Sequence, residues 1–297
     1  MAANHIEAFV PGLRVFSNCA NAMQLSQTIP TPLDPLRLLW VHRFLIRQLV
    51  ERELSFKFKR SRGGMLWVVL QPLLLLAGYT LVFGVILKSR WGSAGTGSSA
   101  EFALIMFAGL IFFNFFSAVV SVAPSLIVHN KPYVQKMVFP LEVLSWSTML
   151  AALVNGFVSL LIWIIFSVAI RGYIPFSLAW LPLIIIPFAL FALGCCWFLS
   201  AAGVFHPDIE HLIPMLMLML MLLSPLFFPA SAIPEQLRFL FDFNPLAYVL
   251  EQARQVMIYG GAPDFGILAV GWVVGLLFAW LGLVSFVKNR DGFADAV

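Results

Sequence analysis

The chain has 297 residues, 61% of them hydrophobic and 11% charged, with a mean hydropathy of +0.94 and a formal net charge of +4. An ordinary soluble domain is about half apolar and about a quarter charged, so soluble globular and disordered readings are excluded. The positive charge is gathered mainly before the first apolar stretch, which is a membrane-orientation pattern and not a nucleic-acid footprint.

Residues Met1 to Thr31 hold no continuous apolar run of the signal-peptide kind, because Pro11 and Gly12 interrupt the only candidate. The first hydrophobic segment is therefore expected to remain as a membrane span. Ahead of it, Leu36–Arg60 reads as one amphipathic helix. Leu38, Val41, Leu45 and Leu49 share a face at helical spacing, and Arg43, Arg47 and Glu51 lie roughly opposite. Such a helix either lies in the membrane interface, with Trp40 and Phe44 among the headgroups, or packs on another protein. Gly63-Gly64 breaks it.

A helix needs about 20 apolar residues to cross the hydrocarbon. Six stretches free of Asp, Glu, Lys, Arg and His meet that need: Gly63–Leu87, Phe102–Val128, Val143–Ile170, Gly172–Phe205, Leu212–Pro234 and Phe265–Val287. The fourth carries Pro175, Pro182 and Pro187, so its span is expected to start near Leu181. None alternates polar with apolar residues, which excludes a barrel. The expected fold is all-α and integral to the membrane, with six transmembrane helices behind an interfacial helix.

Leaving aside Arg14, far ahead of the first span, the six spans divide the Lys and Arg residues about twelve to five. The larger set holds Arg37, Arg43, Arg47, Arg52, Lys57, Lys59, Arg60, Arg62, Lys131, Lys136, Lys288 and Arg290. The smaller holds Lys88, Arg90, Arg171, Arg238 and Arg254. The positive-inside rule then puts both termini in the cytoplasm. The segment Pro229–Asp264 lies outside. It is too apolar for a solvated loop and too interrupted by Arg238, Asp242, Asn244-Pro245 and Glu251 to span. It reads as two short re-entrant helices, which non-helical backbone at that depth permits only beside protein or a wet cavity.

Missing motifs narrow the function. There is no GxxxxGK[ST] phosphate loop, no HExxH and no GxSxG. No expected span carries an interior charge, although ion-coupled carriers place theirs there. A transporter of this kind needs a partner that supplies its energy, or it is a passive channel. The three cysteines form no CxxC pair and no disulfide framework, and Cys195-Cys196 read as small buried residues. His206-Pro207-Asp208-Ile209-Glu210-His211 is the only candidate for a metal or enzymatic cluster, and a solvated turn explains it as well. Gly271 and Gly275 form a GxxxG continued by Ala279, suited to close helix approach within the chain or against a second copy. Among 29 Phe, nine Trp and five Tyr, some anchor the interfaces. Others lie mid-span, Phe112, Phe116 and Trp163 among them, and face lipid or line a path on which sugar rings stack. Met215, Met217, Met219 and Met221 suit a surface that repacks or simply fill the core.

Several short motifs occur together in order. They are Lys57-Phe58-Lys59-Arg60-Ser61, Gly64-Met65-Leu66-Trp67, Gln71-Pro72-Leu73-Leu74, Tyr79-Thr80-Leu81-Val82-Phe83 and Asn130-Lys131-Pro132-Tyr133 through Phe139-Pro140. Beyond these come Pro207-Asp208-Ile209, Ser224-Pro225-Leu226-Phe227-Phe228-Pro229, Ile233-Pro234-Glu235, Phe243-Asn244-Pro245-Leu246 and Arg254. In this order the set resembles the permease subunit of ABC-2 type exporters, in the polysaccharide and O-antigen branch, over roughly Leu36 to Val287. Where that family often has a basic residue before Asp-Ile at the fourth junction, this chain has Pro207.

The resemblance implies a transport subunit without enzymatic activity. Residues 1–35 would be an N-terminal extension, 36–62 the cytoplasmic interface helix, 63–287 the six-helix domain with a gate at 229–264, and 288–297 a cytoplasmic tail. It implies a homodimer in the bacterial inner membrane, two ATP-binding subunits that hold ATP and magnesium, and a polyprenyl-diphosphate-linked polysaccharide as cargo. Capsule, teichoic-acid, drug and lipid cargoes are the alternatives. By the same resemblance, Asn130, Lys131, Tyr133, Lys136, Asp208 and Glu210 would couple to the ATPase. Arg43, Arg47, Lys57 and Arg60 would meet the diphosphate. Tyr79, Phe112, Phe116, Trp163, Phe227 and Phe228 would line the path.

Overall fold

The computed structural model describes residues 30–59, 66–86, 99–135, 139–227, 235–237 and 244–293. The expectations placed on Lys136, Phe228, Arg60, the Gly63-Gly64 break and the extension before residue 30 lie outside the described residues, as does the side chain of Lys57. Every regular element among the described residues is helical. Four helical segments are long and apolar enough to cross a membrane: Ala100–His129, Glu142–Arg171, Phe176–Phe205 and Phe265–Gly292. Two shorter apolar helices, Leu66–Val82 and Ile209–Leu222, fall where the first and fifth spans are expected. The chain is a multi-pass membrane protein.

The single interfacial helix expected over Leu36–Arg60 is two helices, α1 (Asp34–Val41) and α2 (Arg43–Lys59). His42 leaves the helical region at φ −101° and ψ 17°, while its N–H still bonds the Leu38 carbonyl. Leu38, Ile46 and Leu49 are buried, and Trp40 and Phe44 stand 72% and 70% exposed. α1 is fixed to the bundle where Trp280 Nε1 donates to the Pro30 carbonyl at 2.8 Å.

α3 (Leu66–Tyr79) contains Pro72 and continues as a π-helical turn over Thr80–Ile86. Thr80 Oγ1 donates to the Leu76 carbonyl at 2.6 Å at that junction. π-turns of this kind interrupt the regular ladder and recur at functional sites. α4 (Ser99–Val122) is the central helix. It packs against the π-turn, α7, α8, α9 and α10, and carries a nearly continuous buried surface from Phe102 to Val120. A 3-10 turn (Ala123–Ser125), α5 (Leu126–His129) and α6 (Lys131–Gln135) carry the chain to α7 (Glu142–Arg171).

α7 closes on Gly172 at φ +78°, a left-handed conformation that glycine adopts without steric cost. A 3-10 turn (Phe176–Trp180) then opens α8 (Leu181–Phe205), with Pro182 in its first turn, as the prolines led us to expect. α9 (Ile209–Leu222) has 14 residues, so its rise is about 21 Å. α10 (Pro245–Met257) is capped by Asn244, whose Oδ1 accepts from Leu246 N at 3.0 Å. α11 (Phe265–Asn289) is capped by Asp264, which accepts from Gly266 N and Ile267 N.

Lipid offers little hydrophobic drive for helix pairing, so small residues and interhelical hydrogen bonds must hold the bundle. α8 and α11 meet backbone to backbone. A Cβ at Gly282 would lie 2.8 Å from Gly194 Cα, and one at Gly194 would lie 2.7 Å from Ala279 N. The GxxxG therefore works within the chain, but its register is displaced. Gly275, Ala279 and Gly282 are buried, whereas a Cβ at Gly271 would meet nothing within 4 Å. Buried indoles tie the remaining helices: Trp163 Nε1 donates to Leu104 O at 3.0 Å, and Trp197 Nε1 to Glu142 O at 3.1 Å. Cys195 and Cys196 are free thiols, Cys196 fully buried.

Candidate functional site

One end of the bundle gathers the basic helix, the α4–α7 connection and the end of α11. From α2, Arg52 donates to the Tyr133 hydroxyl and, at 3.4 Å, to Asn130 Oδ1, and its guanidinium stands 5.2 Å from the Tyr133 ring centroid. Asn130 in turn donates to the Leu126 carbonyl at 2.9 Å, and Tyr133 packs on Phe139 with ring centroids 4.5 Å apart. Glu142, buried at the start of α7, receives Arg290 Nη1 at 2.9 Å, and Arg290 Nη2 reaches the Phe139 carbonyl at 3.4 Å. Phe293 is fully buried against Phe286 and Phe205. The two described ends of this connection are thus held separately, Asn130 and Tyr133 by α2, and Phe139 and Glu142 by the α11 end.

The α8–α9 turn lies at this same end, because α8 packs on the 3-10 turn at Ala123 and on α5. Asp208 and Glu210 are exposed there, and Lys131 is exposed on α6. Six expected coupling residues thus yield five described ones, all at one end, with Tyr133 and Asn130 in direct contact with α2. Among the described residues, no group of three His, Cys, Asp or Glu side chains comes together to hold a metal.

A second cluster lies deeper, where α9 ends and α10 begins. Tyr79 and Phe227 meet with ring centroids 5.8 Å apart at 48°, so two of the expected path residues are brought together. Beside them, Asn244 Nδ2 donates to Ser224 Oγ at 2.9 Å, both residues being buried. Arg254 Nη2 donates to the Leu226 carbonyl at 3.2 Å, and Glu251 stands 3.8 Å from its Nη1. Arg254, expected in an outside loop, is in fact 1% exposed. Gly109 on α4 makes room for the neighbouring Leu226: a Cβ there would lie 2.9 Å from Leu226 and at an ordinary 3.6 Å from Arg254. The far end of α10 meets the opposite end of the bundle, where Arg171 donates to the Ile258 carbonyl at 2.9 Å and pairs with Glu101 at 3.2 Å.

The other expected path residues are placed differently. Trp163 is fully buried between α7 and α4. Phe116 stacks on Phe188 and Phe191 of α8 at 5.7 and 5.8 Å. Both are engaged in helix packing and stand apart from the Tyr79–Phe227 pair. Phe112 also packs on Phe188, and in addition lines a lateral groove of about 660 Å³ that Arg43 and Arg47 share.

The spacing of charges did not reveal Arg52, Arg254, Ser224 or the Glu142–Arg290 pair. Only Asn244-Pro245, a cap followed by an N1 proline, carried a readable local signal for the second cluster.

The profile of the family described as ABC-2 type transporter matches residues 45–258. An O-antigen export system permease protein, RfbA, from Myxococcus xanthus is 25% identical over 264 residues, covering 88% of this chain and 98% of the relative. An RfbA from Klebsiella pneumoniae is 22% identical, covering 84% and 94%. The polysialic acid transport protein KpsM of Escherichia coli is 27% identical over 229 residues, covering 74% and 83%.

Proposed function

The chain belongs to the ABC-2 type transporter family, and from that premise we propose that it is the transmembrane subunit of an ATP-driven exporter of lipid-linked polysaccharide. The observation that carries the reading is that relatives matched over most of their own length are O-antigen and polysialic acid permeases. The cargo is a long glycan on a polyprenyl diphosphate, carried from the cytoplasm across the bacterial inner membrane. The twelve-to-five distribution of basic residues supports cytoplasmic termini.

The chain does no chemistry of its own. It lacks a phosphate loop, and ATP with magnesium is bound by a separate subunit, two copies of which serve a homodimer of this chain. The docking end is the one where Arg52 holds Asn130 and Tyr133, with Lys131, Asp208 and Glu210 at the same end; Lys136 is added to this set on its place in the sequence alone. Motion received by the Asn130–Glu142 segment passes into α7 through Glu142 and into α11 through Arg290.

At the other end, α10 is a re-entrant helix of the outer gate. Its support is the buried Asn244–Ser224 contact at one terminus and the Arg171–Ile258 contact at the other. The Tyr79–Phe227 pair supplies aromatic faces on which sugar rings stack, a role extended to Phe228 on its place in the sequence alone. The six-span count rests on α3 and α9 serving as the first and fifth spans. The basic rim that meets the diphosphate is drawn from Arg43, Arg47, Lys57 and Arg60, with charge-assisted hydrogen bonds as its chemistry.

Purification of the tagged chain from native membranes in mild detergent tests this. An ATP-binding subunit in near-equal amount, with ATP hydrolysis in the eluate, is expected. A lone chain without hydrolysis, repeated in lipid nanodiscs, would refute the assignment.

A further inference from the structure

The groove that Phe112 lines is distinct from the Tyr79–Phe227 pair. It lies between α2 and the edges of α4, α7 and α8, with a volume of about 660 Å³. Its walls are apolar, Leu153 and Phe157 among them, and its charged lining residues are Arg43, Arg47 and Glu51, all on α2. Arg47 is bound to Glu51 through Nε at 2.8 Å. Arg43 has no carboxylate at ion-pair distance among the described residues. Its guanidinium stands instead 4.8 Å from the Trp40 ring centroid and 4.9 Å from that of Phe44. Both rings are largely exposed, so the cation is presented at an aromatic surface of the kind that sits among headgroups.

The dimensions select an occupant. The α7 wall of the groove runs from Leu150 to Leu160, about 15 Å of helix rise, which is the depth of one leaflet of a roughly 30 Å core. The groove is large enough for one hydrocarbon chain, and among the described residues its cationic lining comes from Arg43 and Arg47 on α2.

We propose that this groove is a binding site for one anionic phospholipid of the leaflet in which α2 lies, its phosphate on Arg43 and Arg47 and one acyl chain along the Phe112–Phe157 wall. Arg43 and Arg47, counted above in the diphosphate rim, are on this reading occupied by a resident lipid, which narrows that rim to Lys57 and Arg60. The lipid fastens α2 to α4, α7 and α8, and so stiffens the helix that holds Tyr133 and Asn130.

The test uses the full chain with its co-purifying subunits in mild detergent, incubated with dioleoylphosphatidylglycerol or dioleoylphosphatidylcholine and read by native mass spectrometry. One phosphatidylglycerol per chain should survive, retained at least tenfold better than phosphatidylcholine. Arg43→Gln with Arg47→Gln should abolish the preference. Gly156→Phe fills the groove from α7, where a Cβ meets nothing within 4 Å, and should remove the bound lipid while leaving the assembly intact. Equal retention of both lipids, or undiminished retention in Gly156→Phe, would overturn the site. Loss of the second copy in Gly156→Phe would overturn it in favour of a subunit contact. Displacement of phosphatidylglycerol by a polyprenyl diphosphate would overturn it in favour of the cargo lipid.

Discussion

Replacing Gly282 by alanine adds one methyl group where α11 crosses α8. That Cβ would lie 2.8 Å from Gly194 Cα and nearer still to the Gly194 carbonyl, against ordinary contacts of 3.4 Å or more. The obstructing atoms are backbone, so no rotamer change relieves them, and the helices must part by more than half an ångström along their shared seam. Over-packing of this kind costs about 1–3 kcal/mol, from a helix pair held together by close packing and not by hydrophobic drive. For a chain of this size that lowers the thermal midpoint by roughly 3–10 °C. Gly271→Ala in the same helix is the control, because its Cβ meets nothing within 4 Å and alanine is the better helix former. Fluorescence-detected melting in detergent reads both. If Gly282→Ala melts with the wild type, or Gly271→Ala loses as much, the displaced register of the small-residue seam is wrong.

Tyr133→Phe removes the hydroxyl that accepts from Arg52, a tie of about 1 kcal/mol. Glycan exported per ATP hydrolysed should fall about fivefold while hydrolysis itself persists, and unchanged stoichiometry would remove Tyr133 from coupling. Arg254→Leu strips the Leu226 carbonyl of its donor and should cost about 1–3 kcal/mol, read as a lower melting midpoint, with Arg254→Lys intermediate. His42 is buried, and desolvation holds its pKa below the ordinary 6.5. The unfolded chain then binds a proton that the folded chain resists, so stability falls as pH drops below about 6.5. His42→Gln should flatten that slope in melts taken between pH 7.5 and 5.

Most of the helical frame was legible because lipid leaves few options. A charge-free run of 20 or more residues must be a helix, and the start of α8 at Leu181 followed from its prolines. What charges could not show is how helices meet. The one-residue break at His42 carries no proline or glycine, and periodicity runs through it. Arg254 falls outside by the order of the spans, but it is buried where its guanidinium reaches the Leu226 carbonyl, 28 residues away in the chain. The GxxxG was visible, whereas its displaced register depends on Gly194 across the seam. Of the aromatic residues, composition could not separate Trp163, which holds α7 to α4, from Tyr79, which meets Phe227. The Asn130–Tyr133 segment was legible as part of a basic loop, and its tie to α2 through Arg52 was not, since 78 residues separate Arg52 from Asn130.

ATP-driven export of a lipid-linked glycan can be read in inside-out inner-membrane vesicles that contain this chain and the proposed ATP-binding subunit. Added ATP should move lipid-linked polysaccharide into the vesicle lumen, where external glycosidase no longer reaches it, and omission of either subunit should stop the protection. Protection that proceeds without ATP, or glycan that stays fully cleavable while ATP is hydrolysed, would contradict the account.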